Sequence, residues 1–255
     1  MQKYINIENS RIPLLGLGTW QLNGKECEDT VDAAINMGYR HLDTAQNYHN
    51  EAEVGSGVKK SNTGREELFI TTKVSTENLK PDALIDSTEK SLEKLQTGYI
   101  DLLLIHWPTA DMNLKETLDA MFTLKKQGKI KNAGVSNFSP VLFREAISLG
   151  PVICNQVEFS PFIKQDNNLA VAKEADLMIT AYSPLGRGKV SKDPILREIG
   201  MHYEKTAAQV TLRWLLQQGN VSVIPKASGI QHLQENMEVF DFELTAEDME
   251  KISRL

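Results

Sequence analysis

Residues 100–106 read IDLLLIH, a run with almost no polar alternation that ends on a histidine. Apolar runs of this kind suit parallel strands buried on both faces. Seven similar runs flank it. LLGLGT (14–19), YRHLDT (39–44) and LFITTK (68–73) precede it; IKNAGVS (130–136), VICNQ (152–156), LMIT (177–180) and VSVIP (221–225) follow. Segments with apolar residues at helical spacing separate the runs. In 28–37, Val31, Ala34 and Ile35 fall at i, i+3 and i+4, with Gly38 as a stop. Residues 82–95 repeat the pattern behind Pro81, which suits a helix start, and 112–127, 139–149, 167–175 and 206–218 behave likewise. Eight strands, each followed by a helix, predict an α/β fold: a closed (β/α)8 TIM barrel forming one domain over residues 1–255. An open doubly wound sheet needs a GxGxxG loop near its first strand, and Gly16, Gly18 and Gly24 do not make one. Residues 4–13 alternate around Glu8, Asn9 and Ser10, which predicts an N-terminal β-hairpin plugging the barrel's bottom.

With 41% hydrophobic and 24% charged residues, the composition is that of a globular protein and excludes disorder, collagen and coiled coil. The 34 acidic against 28 basic residues leave a net charge of −6, without the basic face of a nucleic-acid binder or a polybasic membrane patch. Cys27 and Cys154 are too few for a disulfide framework, and the five histidines show no paired metal-ligand spacing. Residues 1–10 carry no signal-peptide core, and no apolar run nears the ~20 residues of a membrane span. A cytoplasmic protein is expected.

Barrel chemistry gathers at the C-terminal strand ends. There the runs end in Asp43, Lys73, His106, Ser136–Asn137, Asn155–Gln156, Tyr182–Ser183 and Pro225–Lys226, and Tyr48 follows Asp43 by five residues. A helix cap or rim ion pair explains any one of these alone. Together they bring an acid, a phenol, a cation and an imidazole to one mouth. A phenol with a reference pKa near 10 needs help to work near neutrality. An ammonium about 4 Å away, at an effective dielectric near 20, contributes roughly 4 kcal/mol. Lys73 is therefore expected to lower the Tyr48 pKa, and Asp43 to keep Lys73 charged on burial. His106 would orient a substrate oxygen. The set suits a carbonyl carbon receiving a hydride.

The sequence resembles the aldo-keto reductases nearly end to end. The likeness rests on GLGTW (16–20), YRHLDTA (39–45) with Tyr48, ITTK (70–73), DLLLIHWP (101–108), GVSNF (134–138), NQVE (155–158), AYSPLG (181–186), IPK (224–226) and Glu235–Asn236. It is most similar to the bacterial diketogluconate-reductase-like branch, with its short loops. The resemblance implies a monomer reducing small carbonyl compounds, among them keto-sugar acids, with NADPH bound without a Rossmann motif and NADH as a weaker alternative. It makes Tyr48 the proton donor, tuned by Lys73 and Asp43, with His106 orienting the carbonyl. Ser136, Asn137 and Gln156 would hold the carboxamide of the cofactor, and Tyr182 would stack on its ring. Gly18, Thr19, Asp43, Ser183, Leu185 and Gly186 would line the cofactor, the last three along the pyrophosphate. Lys226, Ala227, His232, Glu235 and Asn236 would surround the adenosine 2′-phosphate and adenine. Trp20 and Trp107 would wall the substrate pocket. The loop from Tyr182 to Asp193 would fold over the cofactor.

The chain departs from the family pattern at Ala227, commonly Ser; at His232, often Arg; and at Ser75, often Trp. The first two weaken the expected grip on a 2′-phosphate. The third, with a short C-terminus, predicts an open, wet substrate mouth. Two other readings of the same residues are a regulatory cofactor-binding subunit and a Schiff-base lyase using Lys73.

Overall fold

The structure, a computed structural model, describes residues 2–255. Strands β1 (Tyr4–Ile7) and β2 (Ser10–Pro13) form the expected antiparallel hairpin. Ile7 and Ile12 point into the core, and Ser10 hydrogen-bonds Asn132 near the start of a barrel strand, which fixes the hairpin across the bottom. Eight further strands make one parallel sheet in sequential order. They are β3 (Leu17–Gly18), β4 (His41–Asp43), β5 (Phe69–Val74), β6 (Ile100–Ile105), β7 (Ile130–Ser136), β8 (Val152–Glu158), β9 (Met178–Tyr182) and β10 (Val221–Val223). The sheet curls until its ends meet. Leu15 pairs in parallel with Val223, Gly16 N donates to Val223 O at 2.8 Å, and Gly18 N donates to Pro225 O at 3.1 Å. A Cβ on Gly18 would lie 2.6 Å from Ile224 O, so this seam admits only glycine there.

The helices are α1 (Gly24–Asn36), α2 (Glu51–Lys60), α3 (Pro81–Leu95), α4 (Leu114–Lys126), α5 (Pro140–Leu149), α6 (Asp166–Glu174), α7 (Pro194–His202), α8 (Ala207–Gln217), α9 (Ile230–Met237) and α10 (Ala246–Ser253). Their starts are chemically marked. Ser139 accepts from Leu142 N ahead of α5, Asp193 from Leu196 N ahead of α7, and Thr206 with Gln209 forms a capping box on α8. Helical periodicity located α1, α3, α4, α5, α6 and α8 but did not single out α2. Its two buried glycines explain this: a Cβ on Gly57 would lie 2.7 Å from Glu28 O, and one on Gly55 2.7 Å from Lys94 O. Close packing between α1 and α3 overrides poor helix propensity there. All six residues of β5 are buried, as are all in β6 except the partly buried Asp101. Among the described residues no helix is long and apolar enough to cross a membrane.

Candidate active site

β4 and β5 run side by side with Asp43 opposite Thr71, so Asp43 and Lys73 emerge at the same end of neighbouring strands. Both are about 1% exposed. Lys73 Nζ donates to Asp43 Oδ1 at 2.5 Å and to Thr44 O at 2.8 Å. The Tyr48 hydroxyl lies 3.5 Å from the same nitrogen. Tyr48 closes a 3₁₀ turn, Gln46–Tyr48, that follows β4; His49 then takes a left-handed backbone conformation with φ 56°. His106, at the end of β6, sets its ring edge-on to Tyr48 with centroids 5.7 Å apart. The structure thus brings together the four residues expected to carry the chemistry.

Their protonation follows from burial and charge. Burial alone would drive the proton off Lys73, but Asp43 and Tyr48 more than offset this, and the ammonium is held above the ordinary lysine range. Burial pushes the Tyr48 phenol up; Lys73 pulls it down, and Asp43 pushes it up again. The net direction is upward, contrary to the expectation that Lys73 would lower it. Desolvation outweighs the ammonium because that charge is already matched by Asp43. Burial, and secondarily Lys73, push His106 down to about 4, so it is neutral near pH 7. Its Nδ1 is buried without a hydrogen-bond partner.

Further polar groups close around this set. Gln156 Nε2 donates to Asp43 Oδ2 at 2.7 Å, and the Ser136 hydroxyl donates to Gln156 O at 2.9 Å. Asn137 Nδ2 donates to His106 O at 3.0 Å, and its Oδ1 accepts from the Tyr182 hydroxyl at 2.9 Å. Thr19 gives its hydroxyl to Asp43 O at 2.9 Å. Trp20 and Trp107, each almost half exposed, stand at the rim.

A cavity of about 1330 Å3 opens beside this mouth. Of the residues expected to meet cofactor or substrate, Trp20, Ser183, Leu185, Lys226, His232, Glu235 and Asn236 lie on its wall. The four central residues, Trp107, Ser136, Asn137, Gln156 and Tyr182 are not on that wall, nor are Gly18, Thr19, Gly186 and Ala227; Gly186 instead packs on Phe162. The 182–193 segment forms two short 3₁₀ turns along the cavity, and Arg187 reaches Glu158 at 3.6 Å and lies 5.8 Å over the Trp20 ring. Sequence reading missed Arg187, Arg197 and Lys205, which also line it. A signal existed: Pro194, Arg197, Glu198 and Met201 share one face of α7 at i, i+3, i+4 and i+7, and Met201 is 72% exposed. Lys205 is tied to Asp241 at 2.7 Å, whereas Arg197 and Lys226 have no carboxylate partner among the described residues. His232 Nδ1 lies 3.1 Å from Glu235 Oε2, so that ring nitrogen already has a partner on its own helix.

Ser75 is not a missing wall. It is 2% exposed; its amide donates to Gln46 Oε1 at 3.0 Å, and its hydroxyl bonds Asn47 Oδ1. Polar side chains fill the place where an open mouth was expected.

The model of the Aldo/keto reductase family matches residues 14–255. The chain is 44% identical to a glyoxal reductase of Bacillus subtilis (strain 168), over 96% of this chain and 89% of that protein. It is 40% identical to the methylglyoxal reductase DkgB of Escherichia coli O157:H7, over 96% and 93%. A crystal structure provisionally assigned as a 2,5-diketo-D-gluconic acid reductase B superposes with a TM-score of 0.98 at 42% identity, over 100% of this chain and 92% of that one.

Proposed function

The chain belongs to the aldo/keto reductase family, and on that premise we propose that it reduces small aldehydes and ketones to alcohols with NADPH, Tyr48 giving the proton. The observation that carries this reading is the placing of one buried ammonium between a carboxylate and a phenol. Similarity to glyoxal and methylglyoxal reductases favours short α-dicarbonyls as substrates.

The residues present fit the cofactor. The cavity, at about 1330 Å3, has room for a dinucleotide, and its wall offers the free cations Lys226 and Arg197 for phosphates and the hydroxyls of Ser183 and Ser191. NADPH, when bound, supplies the hydride to the carbonyl carbon. Neutral His106 has one N–H; with Nδ1 buried and unpartnered, Nε2 is the nitrogen that donates to the substrate carbonyl oxygen. Charge then grows on that oxygen, where the Tyr48 hydroxyl delivers its proton. The phenolate left behind faces the Lys73 ammonium, and Asp43 keeps that ammonium charged throughout. Ser136, Asn137 and Gln156, already locked to one another and to Asp43, would hold the nicotinamide carboxamide side, and Tyr182 would stack on the ring. A protonated Lys73 is a poor amine nucleophile, which disfavours the Schiff-base reading. The same reading has one domain over 1–255, monomeric and cytoplasmic, with NADH a weaker cofactor.

Loss of NADPH absorbance with methylglyoxal, glyoxal and simple aldehydes tests the proposal. Turnover with NADPH supports it; no oxidation with any carbonyl compound overturns it.

A further inference from the structure

The 3₁₀ turn that carries Tyr48 carries two amides before it, and the structure gives them different tasks. Gln46 is buried and fully engaged. Its Nε2 donates to Ser91 Oγ at 3.2 Å, and its Oε1 accepts from Ser75 N at 3.0 Å and Asn78 Nδ2 at 3.3 Å. Asn47, one residue before the phenol, is exposed at the rim. Its Oδ1 is taken by the Ser75 hydroxyl, two residues beyond Lys73 on the neighbouring strand end. With the oxygen taken by Ser75, the amide hydrogens meet no acceptor among the described residues. The side chain that anchors them, Ser75, comes from the position where a missing wall was expected.

We infer that Asn47 is a specificity-determining residue whose Nδ2 donates to a second oxygen of the substrate, selecting carbonyl compounds with an oxygen on the adjacent carbon. This rests on the carbonyl-reductase reading above. In an α-dicarbonyl or α-hydroxycarbonyl that oxygen is on the carbon next to the reacting carbonyl, and Asn47 is the residue next to Tyr48 in the same turn. A simple aldehyde of equal length leaves the amide to water and gains nothing from it. One hydrogen bond at an exposed rim has a net worth of about a factor of ten or less. The Ser75 hydroxyl is the positioning group: without it the carboxamide turns freely and the selectivity falls.

The matched pair methylglyoxal and propanal, with the same three carbons, differs in the second oxygen. We expect Asn47→Leu to lower the ratio of kcat/KM for methylglyoxal to that for propanal by about tenfold, chiefly through KM for methylglyoxal. Ser75→Ala should lower it about threefold. A ratio unchanged in Asn47→Leu, or both substrates failing alike in a variant with a wild-type melting curve, overturns the assignment of Asn47. If the wild-type protein oxidises NADPH with neither substrate, the reductase reading itself fails, and the two failures are thereby told apart.

Discussion

Asp43 holds Lys73 in its charged form: Oδ1 is 2.5 Å from Nζ, and both side chains are sealed from solvent at the junction of two strands. Burial works against the ammonium, and the carboxylate reverses that effect. Asp43→Asn should therefore let Lys73 shed its proton and cost at least tenfold in kcat. Lys73→Met should cost about a hundredfold or more, because the phenolate then forms without a counter-charge. Single-turnover rates with saturating NADPH check both; a Lys73→Met enzyme within threefold of wild type would show that the ammonium has no part in the step.

The pH profile follows from two directions. His106 is neutral above about pH 4, and the Tyr48 phenol stays protonated beyond the ordinary tyrosine range. Reductive kcat should be flat from about pH 6 to pH 9, falling only as pH approaches 4 and His106 takes up a proton. A phenol brought into the neutral range by Lys73 would instead give a declining limb between pH 7 and 9, and a profile over that span decides between them.

Acid should loosen the fold through His41. Burial pushes its imidazole down to about 4, while the same group in an unfolded chain titrates near 6.5. Below 6.5 the unfolded chain binds a proton that the folded one refuses. The stability is fully present above pH 6.5 and is lost as pH falls towards 4, by about 3 kcal/mol for this group. Urea unfolding at pH 7 and pH 5 should show about 2 kcal/mol of that difference, and His41→Gln should remove much of it. Equal pH sensitivity in the variant would assign acid lability elsewhere.

Of the cations on the cavity wall, Lys226 and Arg197 have no carboxylate partner among the described residues, unlike Arg187 and Lys205. Lys226→Ala should weaken NADPH binding about tenfold and NADH binding less than threefold, because only NADPH carries the 2′-phosphate. Arg197→Ala should have a smaller effect of the same sign. Fluorescence titration with both cofactors measures this, and parallel losses would take Lys226 off the phosphate.

Ser75→Trp should not restore a substrate wall. Ser75 is buried under Asn47 and Gln46, so an indole there must displace both amides and disturb the turn that carries Tyr48. Overpacking of this kind costs about 1–3 kcal/mol, and the loss of activity should extend to every substrate. A lower KM for benzaldehyde in a fully stable variant would restore the open-mouth expectation.

The barrel was legible because strands buried on both faces leave unbroken apolar runs, and because the polar residue closing each run, such as Lys73 or His106, marks its C-terminal end. Helix α2 was not, since Gly55 and Gly57 serve contacts with neighbouring helices and erase its periodic signal. Asp43, Lys73 and His106 stand out as isolated polar groups at strand ends, and Tyr48 follows Asp43 by five residues. Arg197 does not stand out, because it lies inside α7 and its one signal, the shared face with Pro194, Glu198 and Met201, also reads as an ordinary helix surface. The Tyr48 pKa direction was misjudged for a related reason: a sequence shows which charges are near in the chain, whereas the balance depends on how completely water is excluded. Ser75 was read from its type alone, and its burial became visible only with the Gln46 and Asn47 contacts.

The central claim is that the Tyr48 phenol donates the proton. The most direct measurement is kcat of Tyr48→Phe with methylglyoxal, made alongside its NADPH dissociation constant. The account predicts a kcat at least a hundredfold below wild type with NADPH affinity changed less than threefold, since the missing hydroxyl meets only the carbonyl oxygen. A Tyr48→Phe enzyme retaining more than about a tenth of wild-type kcat would contradict it.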